Sequence, residues 1–584
     1  MKKTVNGCEY YFAKIVKDHA LLKKDLSVIL EKVILAFPWP KTMRWDSTNV
    51  AWVRPMRNIL CIFAGDILPI CFGSLVANNI SFGHRFLAPG SFVVKDFKDY
   101  EKKLHDHKVI LSQASRRKMI EEQAYKILSE LGLSIIPDES LFDEILGLVE
   151  YPVVLLGSID KKFMRLPKEI LSTSIRVHQK YFSLQDSDGN MAPYFITVSN
   201  NDPADKSLII AGNESVLKAR LYDAEFFFEE DKKISLENRM PDLANVIFHK
   251  KIGSVLDKVT RMKEVAGSIA RFLEIKNIEI VERAALLSKA DLLTNIVSEF
   301  PELQGVAGKY YALHSKEDRI VAEAIYEHYL PRGRHDQCPT FLESSIVSLA
   351  EKIDSIVGFF SINEAPTSSK DPYGLRRSAL GVIRILIESR ISMNIDDLIE
   401  KSVASYKTHS VIANVGSKVH EFFYERFKFF LKSEFNNGFI TSVFNRSEGN
   451  IYLDFKKISA LSKFFAVRDG SVDCYLASKR VNNIVASTKD IMCSFDSSLL
   501  VSDVEKAMFL AAGGFEKKTE QAFIENDFLK VLQELSNFSV LVNEFFDKTM
   551  VMDDDHELRG NRLALLRRLA LIFNRMVDFE VIEV

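Results

Sequence analysis

The stretch SSKDPYGLRRSALG, residues 368–381, gathers a lysine, a glycine and two arginines behind a serine pair. Such groups cradle phosphate when glycines let backbone N–H groups approach it and a Gly-Lys-Ser/Thr run supplies cation and hydroxyl. Here Gly374 stands alone, no such run follows it, and the preceding SINEAPTSS is turn-like where a phosphate loop needs a strand. The pattern predicts a helix start instead, with Asp371 capping free N–H groups and Pro372 in the first turn. Leu375, Ala379, Val382, Ile383 and Leu386 then share one face. Lys370, Arg376, Arg377 and Arg384 are left to meet phosphate or to pair with acids such as Asp354, and internal pairing is expected for at least one of Arg376 and Arg377.

Metal-assisted hydrolysis needs inward-pointing His and Asp ligands on core helices. Two adjacent pairs exist: His105-Asp106 lies in a charge-dense helical stretch, and His335-Asp336 lies between prolines. Both read as solvated. Asp291 follows Leu287 by four and Ala284 by seven, and Asp354 follows Ala350 and Val347 in the same way, so both sit on apolar helix faces. Buried carboxylates need partners. With no histidine beside Asp291, the two read as structural anchors for Arg or Lys rather than as metal ligands. Nucleophilic catalysis lacks a GxSxG elbow or a flanked cysteine, and His84, His178 and His249 read as structural.

Near the C-terminus, DDDHELRGNRLALLRRLALIFNRM places Leu558, Leu565, Leu566, Leu569, Ile572, Phe573 and Met576 on one face, with Arg567, Arg568 and Arg575 opposite. Arg562 projects from the apolar stripe and is expected to pair with an acid. A helix of this kind can grip a phosphate backbone or can simply be a solvated face.

The elements that must position these residues follow from pattern. The chain has 584 residues, 47% of them hydrophobic, enough for several cores, and 77 basic against 79 acidic residues, so nucleic-acid contact must use local patches. Six cysteines at 8, 61, 71, 338, 474 and 493 form no CxxC pair, which argues against a Cys-based zinc site and for free thiols in a reducing compartment. No run suits a signal peptide or a membrane span, and a cytoplasmic protein is expected. The fold class is multidomain α+β. Residues 1–235 form a mixed α/β module: a helix-like Lys-rich start ending at FPWP, strands in NILCIFAG, ILPICFGSL, YPVVLLGSI and YFITVSNN, and a helical 96–132. Three helical regions follow, 236–395, 396–470 and 471–584. In the first of these, VIFHKKIGSVLDKVTRMKEVAGSIARFL, VERAALLSKADLLTNIVSEF and FLESSIVSLAEKIDSIVGFF all keep helical spacing.

Several segments together resemble one family, the beta subunit of two-subunit bacterial glycyl-tRNA synthetase. They include KTMRW (41–45), VRPMRN (53–58), FGHRFLAPG (82–90), GNESVLKARLYDAEFFFEED (212–231), LLSKADLLTNIVSEFPELQG (286–305), TSSKDPYGLRRSALGVIRIL (367–386) and VNEFFDKTMVMDDDHELRGNRLALLRRL (542–569), in family order over nearly the whole chain. The resemblance implies a subunit that binds tRNA and supports ATP-dependent attachment of glycine to it, with the catalytic site on a separate alpha subunit. It implies no catalytic residue, metal or cofactor on this chain, ATP and magnesium being used at the alpha subunit, and an assembly of two alpha and two beta chains. By the same resemblance, 1–235 is a tRNA-binding and editing-like module, shortened before Met43-Arg44-Trp45. The 236–395 region is an HD-like domain without a metal site, with Ala290-Asp291 at the dyad position and Glu351 in AEKID where the family tends to have Asp. Residues 396–470 are a helical linker, and 471–584 an anticodon-binding DALR-like domain matched at Asp555, Glu557, Leu558, Arg559, Asn561 and Arg562. Arg559, Asn561, Arg567, Arg568 and Arg575 are the expected tRNA contacts, and Asp291, Asp354, Arg376, Arg377 and Arg562 the expected internal ion-pair residues. A metal-dependent phosphohydrolase built on Asp291 and Asp354 is the alternative.

Overall fold

The computed structural model of the chain describes residues 2–5, 8–11, 19–45, 47–406, 414–467, 470–488 and 495–582. Helices dominate and the sheets are small. The chain divides into two compact units, Met1–Phe226 and Phe227–Val584.

In the first unit the Lys-rich start is not a helix from its beginning. Lys2–Val5 pairs antiparallel with Cys8–Tyr11, and a helix runs only from His19 to Leu35. β-branched and aromatic residues in KKTV and CEYY suit a pleated pair; residues 12–18 of the expected helix, like Cys493, lie outside the described residues. The helix stops ahead of Pro38 and Pro40, whose rings bar continuation. NILCIFAG and ILPICFGSL contribute only two-residue strands in tight hairpins, Ile62–Phe63 with Asp66–Ile67 and Cys71–Phe72 with Leu75–Val76.

The main sheet has four antiparallel strands in the order Val153–Ser158, Met191–Ser199, Phe182–Gln185, Ser134–Ile135. YPVVLLGSI and YFITVSNN supply its two long neighbours, in the register Val153↔Ser199 to Ser158↔Tyr194. Phe182–Gln185 carries too short a pattern to stand out in the sequence. The helical stretch 96–132 consists of two helices, Phe97–Asp106 and Gln113–Ser129, parted where Lys108 turns left-handed (φ 60°) and the Ile110 N–H is taken by the Glu150 carbonyl. Ile120, Ala124 and Leu128 of the second helix, with Leu141, Phe142 and Ile145 of the helix Glu139–Leu148, cover Val154, Phe182 and Ile196 of the sheet.

In the second unit, VIFHKKIGS is a hairpin, Ile247–His249 with Gly253–Ser254, rather than the start of a helix. Gly253 adopts φ 107°, and a reciprocal Ser254–Asp257 capping box starts the helix Val255–Phe272. The helix Ile278–Leu287 likewise ends before Asp291, which sits in a 3₁₀ turn, Ala290–Leu293. Leu342–Ser361 is buried on nearly every side, its neighbours being the helices Val255–Phe272, Arg319–Glu327, Leu375–Glu388 and Ile395–Ser405. The PYGLRR helix starts at Leu375, three residues later than Pro372 suggests, behind the left-handed Gly374 (φ 67°). Asp371 still caps it, accepting from the Leu375 and Arg376 N–H groups at 2.9 and 3.0 Å. The helices Val415–Leu431 and Ile451–Ala466 each pack on Leu375–Glu388 and bury Phe423, Phe427 and Phe464; beyond them Ser471–Ser487, Asp503–Ile524, Phe528–Lys548 and His556–Phe573 form the C-terminal bundle.

Gly157 exists for close packing: a Cβ there would lie 2.2–2.8 Å from the ring of Phe195, which is fully buried and stacked on Tyr181 at 4.7 Å. Gly157→Ala is expected to cost about 2–3 kcal/mol, whereas Gly147→Ala, in the helix Glu139–Leu148 with open space around its Cβ, should be neutral or mildly stabilising. Chemical denaturation of the two variants side by side checks this.

Candidate nucleic-acid interface and a buried charge network

The C-terminal helix His556–Phe573 begins at Asp555, whose carboxylate accepts from the N–H groups of Glu557 and Leu558. Leu565, Leu566, Leu569, Ile572, Phe573 and Met576 are buried as the periodicity requires, Leu558 only partly. Arg562 leaves this face to bond Glu505, Asp553 (2.7 Å) and the Met550 carbonyl (2.9 Å). Glu505, almost fully buried, also accepts from the N–H groups of Val501 and Ser502 and so caps the helix Asp503–Ile524. Arg562 therefore bolts three segments together. Burial works against the charge on Arg562, and its two carboxylates outweigh that effect and raise its pKa.

The expected RNA contacts divide by environment. Asn561 does not face solvent: it is buried, and its Oδ1 accepts from the Asp496 N–H at 2.8 Å. Asn561 stands four residues before Leu565 and eight before Leu569, on the face those leucines bury, so it turns into the bundle despite its place in the DALR-like motif. Arg559 donates to the Asp553 carbonyl (3.3 Å) and to His556 Nδ1. Arg567 donates to the Thr488 carbonyl at 2.9 Å, at the C-terminal end of the helix Ser471–Ser487. Arg568 pairs with Glu516 (2.7 Å) and lies over Phe509. Arg575 is exposed and stacks over Phe523, its guanidinium carbon 3.8 Å from the ring centroid, with no carboxylate partner among the described residues. Arg568 and Arg575 flank an open groove of about 600 Å³ between the helices Asp503–Ile524 and His556–Phe573, joined there by exposed Lys517. Sequence reading missed Lys517 because it lies on a different helix; the Lys517-Lys518 pair after Gly513-Gly514 was its only signal.

Deeper in the same unit lies a network of buried charges. Asp354, fully buried, receives Arg261 Nε at 2.6 Å, Arg261 Nη2 at 3.2 Å and Lys258 Nζ at 3.2 Å. Lys258 also reaches Ser355 Oγ (2.7 Å) and Glu351 (3.4 Å), and Glu351 faces Lys289 at 3.6 Å. Burial alone would raise the Glu351 carboxyl; the ammonium groups of Lys258, Lys289 and Lys352 outweigh it and hold the acid well below the usual range. Burial pushes the Lys289 and Lys352 ammonium groups down to about 8. Lys352 sits against the carbonyls of His328, Tyr329 and Leu330 (3.4, 3.3 and 2.9 Å), just beyond the C-terminal end of the helix Arg319–Glu327, where a cation is favoured.

Among the described residues Asp291 has no ion-pair partner at contact distance. Its Oδ2 accepts the N–H groups of Gly305 (2.6 Å) and Gly308 (3.2 Å), and its Oδ1 is buried without a hydrogen bond. Burial pushes its pKa up to about 6, against the pull of those N–H groups and of Lys289. Arg376 and Arg377 do not reach Asp354 either, since Arg261 and Lys258 from the helix Val255–Phe272 already cover it. Arg376 donates to the Thr367 carbonyl, and Arg377 is exposed beside Gly374, with no carboxylate partner among the described residues. A residue that sequence reading passed over, Asp231, is fully buried and accepts from both nitrogens of Asn295, the Ile296 N–H and the Tyr311 hydroxyl, and pairs with Arg239. The dyads His105-Asp106 and His335-Asp336 lie at the surface. A divalent cation has no place in the network, because the oxygens of Asp354 are taken by Arg261 and Lys258 and the neighbouring ammonium groups repel it.

A family model for the glycyl-tRNA synthetase beta subunit matches residues 1–445, and one for the DALR anticodon binding domain matches residues 475–579. Curated relatives named glycine–tRNA ligase beta subunit include that of Rickettsia canadensis (strain McKiel), 39% identical over 99% of this chain and 85% of its own length. That of Rickettsia conorii (strain ATCC VR-613 / Malish 7) is 39% identical over the same shares. That of Rickettsia prowazekii (strain Madrid E) is 39% identical over 98% of this chain and 84% of its own.

Two outcomes follow from this geometry. Arg562→Ala strands the buried Glu505 carboxylate and is expected to destabilise the chain by about 3 kcal/mol, with Arg562→Lys recovering only part; thermal unfolding of the full chain reads this. Asp291, with a folded pKa near 6 and an ordinary value near 4, favours the protonated folded state. Its contribution to stability is present below about pH 4 and lost as pH rises through about 6. Going from pH 7 to pH 4 should therefore shift the stability difference between the parent and Asp291→Asn toward the parent by on the order of 2–3 kcal/mol. Denaturant midpoints at the two pH values measure that shift, and a pH-independent difference would refute it.

Proposed function

The chain belongs to the glycyl-tRNA synthetase beta-subunit family, and from that premise we propose that it recruits tRNA(Gly) for an alpha subunit that joins glycine to it. The complex uses ATP with magnesium at the alpha subunit, and two alpha chains assemble with two of this chain in the cytoplasm. No helix among the described residues is long and apolar enough to cross a membrane. The observation that carries the division of labour is the buried network. The acids that sequence spacing offered for chemistry, Asp291 and Asp354, are committed to backbone N–H groups and to Arg261 with Lys258. They are thus unavailable to a substrate. We read this region as an HD-like scaffold in which ammonium and guanidinium groups compensate the carboxylates that a metal would otherwise bind.

Contact with tRNA is assigned to the C-terminal bundle. Arg575 and Lys517 offer charges without a carboxylate partner among the described residues. Arg559 and Arg568 sit at the surface in local pairs that phosphate can replace. Arg562 and Asn561 serve the bundle itself, and Arg567 caps a helix end while keeping part of its surface exposed.

The isolated chain is expected to form no glycyl-adenylate in a pyrophosphate-exchange assay, and to support full glycylation once the alpha subunit is added. Adenylate made by this chain alone would overturn the division of labour. Replacing Arg559, Arg568 and Arg575 together by Ala should weaken tRNA binding and lower the slope of log K against log salt by about 2–3. An unchanged slope would make that face merely solvated.

A further inference from the structure

All three tryptophans of the chain, Trp39, Trp45 and Trp52, lie within 14 residues of one another in the first unit, far in sequence from the C-terminal bundle. The fold gathers them into one aromatic cluster. Phe37 and Trp39 are 4.6 Å apart, Trp39 and Trp52 5.0 Å, Trp52 and Phe72 5.5 Å, and Trp45 and Phe72 5.9 Å between ring centroids. Only Phe72 is buried; the tryptophans are partly exposed and Phe37 is 48% exposed. The cluster is preorganised. Met43 and Trp52 exchange both backbone hydrogen bonds, at 2.8 and 3.1 Å, and Pro38, Pro40 and Pro55 stiffen the flanking chain.

Cations are interleaved with these rings. Lys41, Arg44, Arg54 and Arg57 are exposed, and none has a carboxylate partner among the described residues. Between Ala36 and Gly65 the sequence holds these four cations against one acid, Asp46. Elsewhere on this surface the expected neutralisation does occur, as with Lys23 and Asp66. Four exposed cations without a carboxylate partner among the described residues, amid partly exposed aromatic rings, match the design of a single-strand platform: the cations track phosphates while bases stack on the rings. A duplex offers no free base faces to such a surface, and an apolar protein partner gains nothing from four uncompensated charges.

We propose that this Trp/Arg patch binds unpaired nucleotides of the tRNA, as a second RNA contact separate from the C-terminal bundle. The proposal rests on the reading of the chain as a tRNA-binding subunit. Because the patch holds every tryptophan, intrinsic tryptophan emission of the full chain reports on it alone. Titration with a single-stranded RNA hexamer and with tRNA(Gly) is expected to quench that emission, with the effect weakening as salt rises. Arg44→Gln, Arg54→Gln and Arg57→Gln together, all at exposed positions, should weaken hexamer binding about tenfold or more. The Arg559, Arg568 and Arg575 triple-Ala variant should leave the hexamer response intact. If tRNA binds by gel shift while emission stays constant and the Gln variant binds both RNAs like the parent, the patch is refuted and the tRNA-binding reading stands. Emission that responds to added alpha subunit but not to either RNA makes the patch a protein interface and refutes the proposal. Absence of tRNA binding with and without the alpha subunit removes both readings.

Discussion

The ion pair between Asp354 and Arg261, reinforced by Lys258, is the contact around which the second unit is arranged. Helix Leu342–Ser361 is enclosed on nearly every side, so each charge it carries must be answered from a neighbour. Arg261 and Lys258 bring Val255–Phe272 to it, Lys289 brings the turn after Ile278–Leu287, and Lys352 reaches the carbonyls that follow Arg319–Glu327. Tyr406 closes the arrangement, donating to the Asp354 carbonyl at 2.9 Å while its ring faces Arg261. Desolvating so many charges yields little net stability compared with an apolar core. What it supplies is registry, since each of these helices has one rotation and height at which its cation meets an acid.

The same logic recurs in the C-terminal bundle and decides which arginines are held internally. Arg562 is spent on Glu505 and Asp553, and Asn561 on the Asp496 backbone. One turn further on, Arg567 and Arg568 hold a carbonyl and an acid from other helices while keeping part of their surface. Arg575, beyond the helix end, stands over the Phe523 ring with no ion-pair partner among the described residues. Side chains of one helix are thus divided between those held by neighbouring segments and those left at the surface.

Much of the architecture was legible in the chain. The strands Val153–Ser158 and Met191–Ser199, the helix Leu342–Ser361 and the apolar face of the last helix follow from periodicity, and the exit of Arg562 from that face follows from a charge at an inward position. The errors in secondary structure were local and lay at element ends or junctions. VIFHKKIGS reads as the start of a helix because Phe248, Ile252 and Val255 follow at spacings of four and three; a positive φ at Gly253 and the Ser254 cap override it. Asp291 keeps helical spacing to Leu287 and Ala284, yet the helix has already ended, and backbone N–H groups from a distant turn take the place of the expected cation.

The sequence by itself determined the family, through motifs held in order over the chain, and the periodic elements, because periodicity is a one-dimensional property of a helix or strand. Pairing was decided only by the tertiary structure. That Asp354 belongs to Arg261 rather than to Arg376, that Asn561 is buried, and that Trp39, Trp52 and Phe72 form one aromatic cluster all depend on which segments meet in space. A charge is satisfied by whatever lies within a few ångströms, and separation along the chain carries almost no information about that.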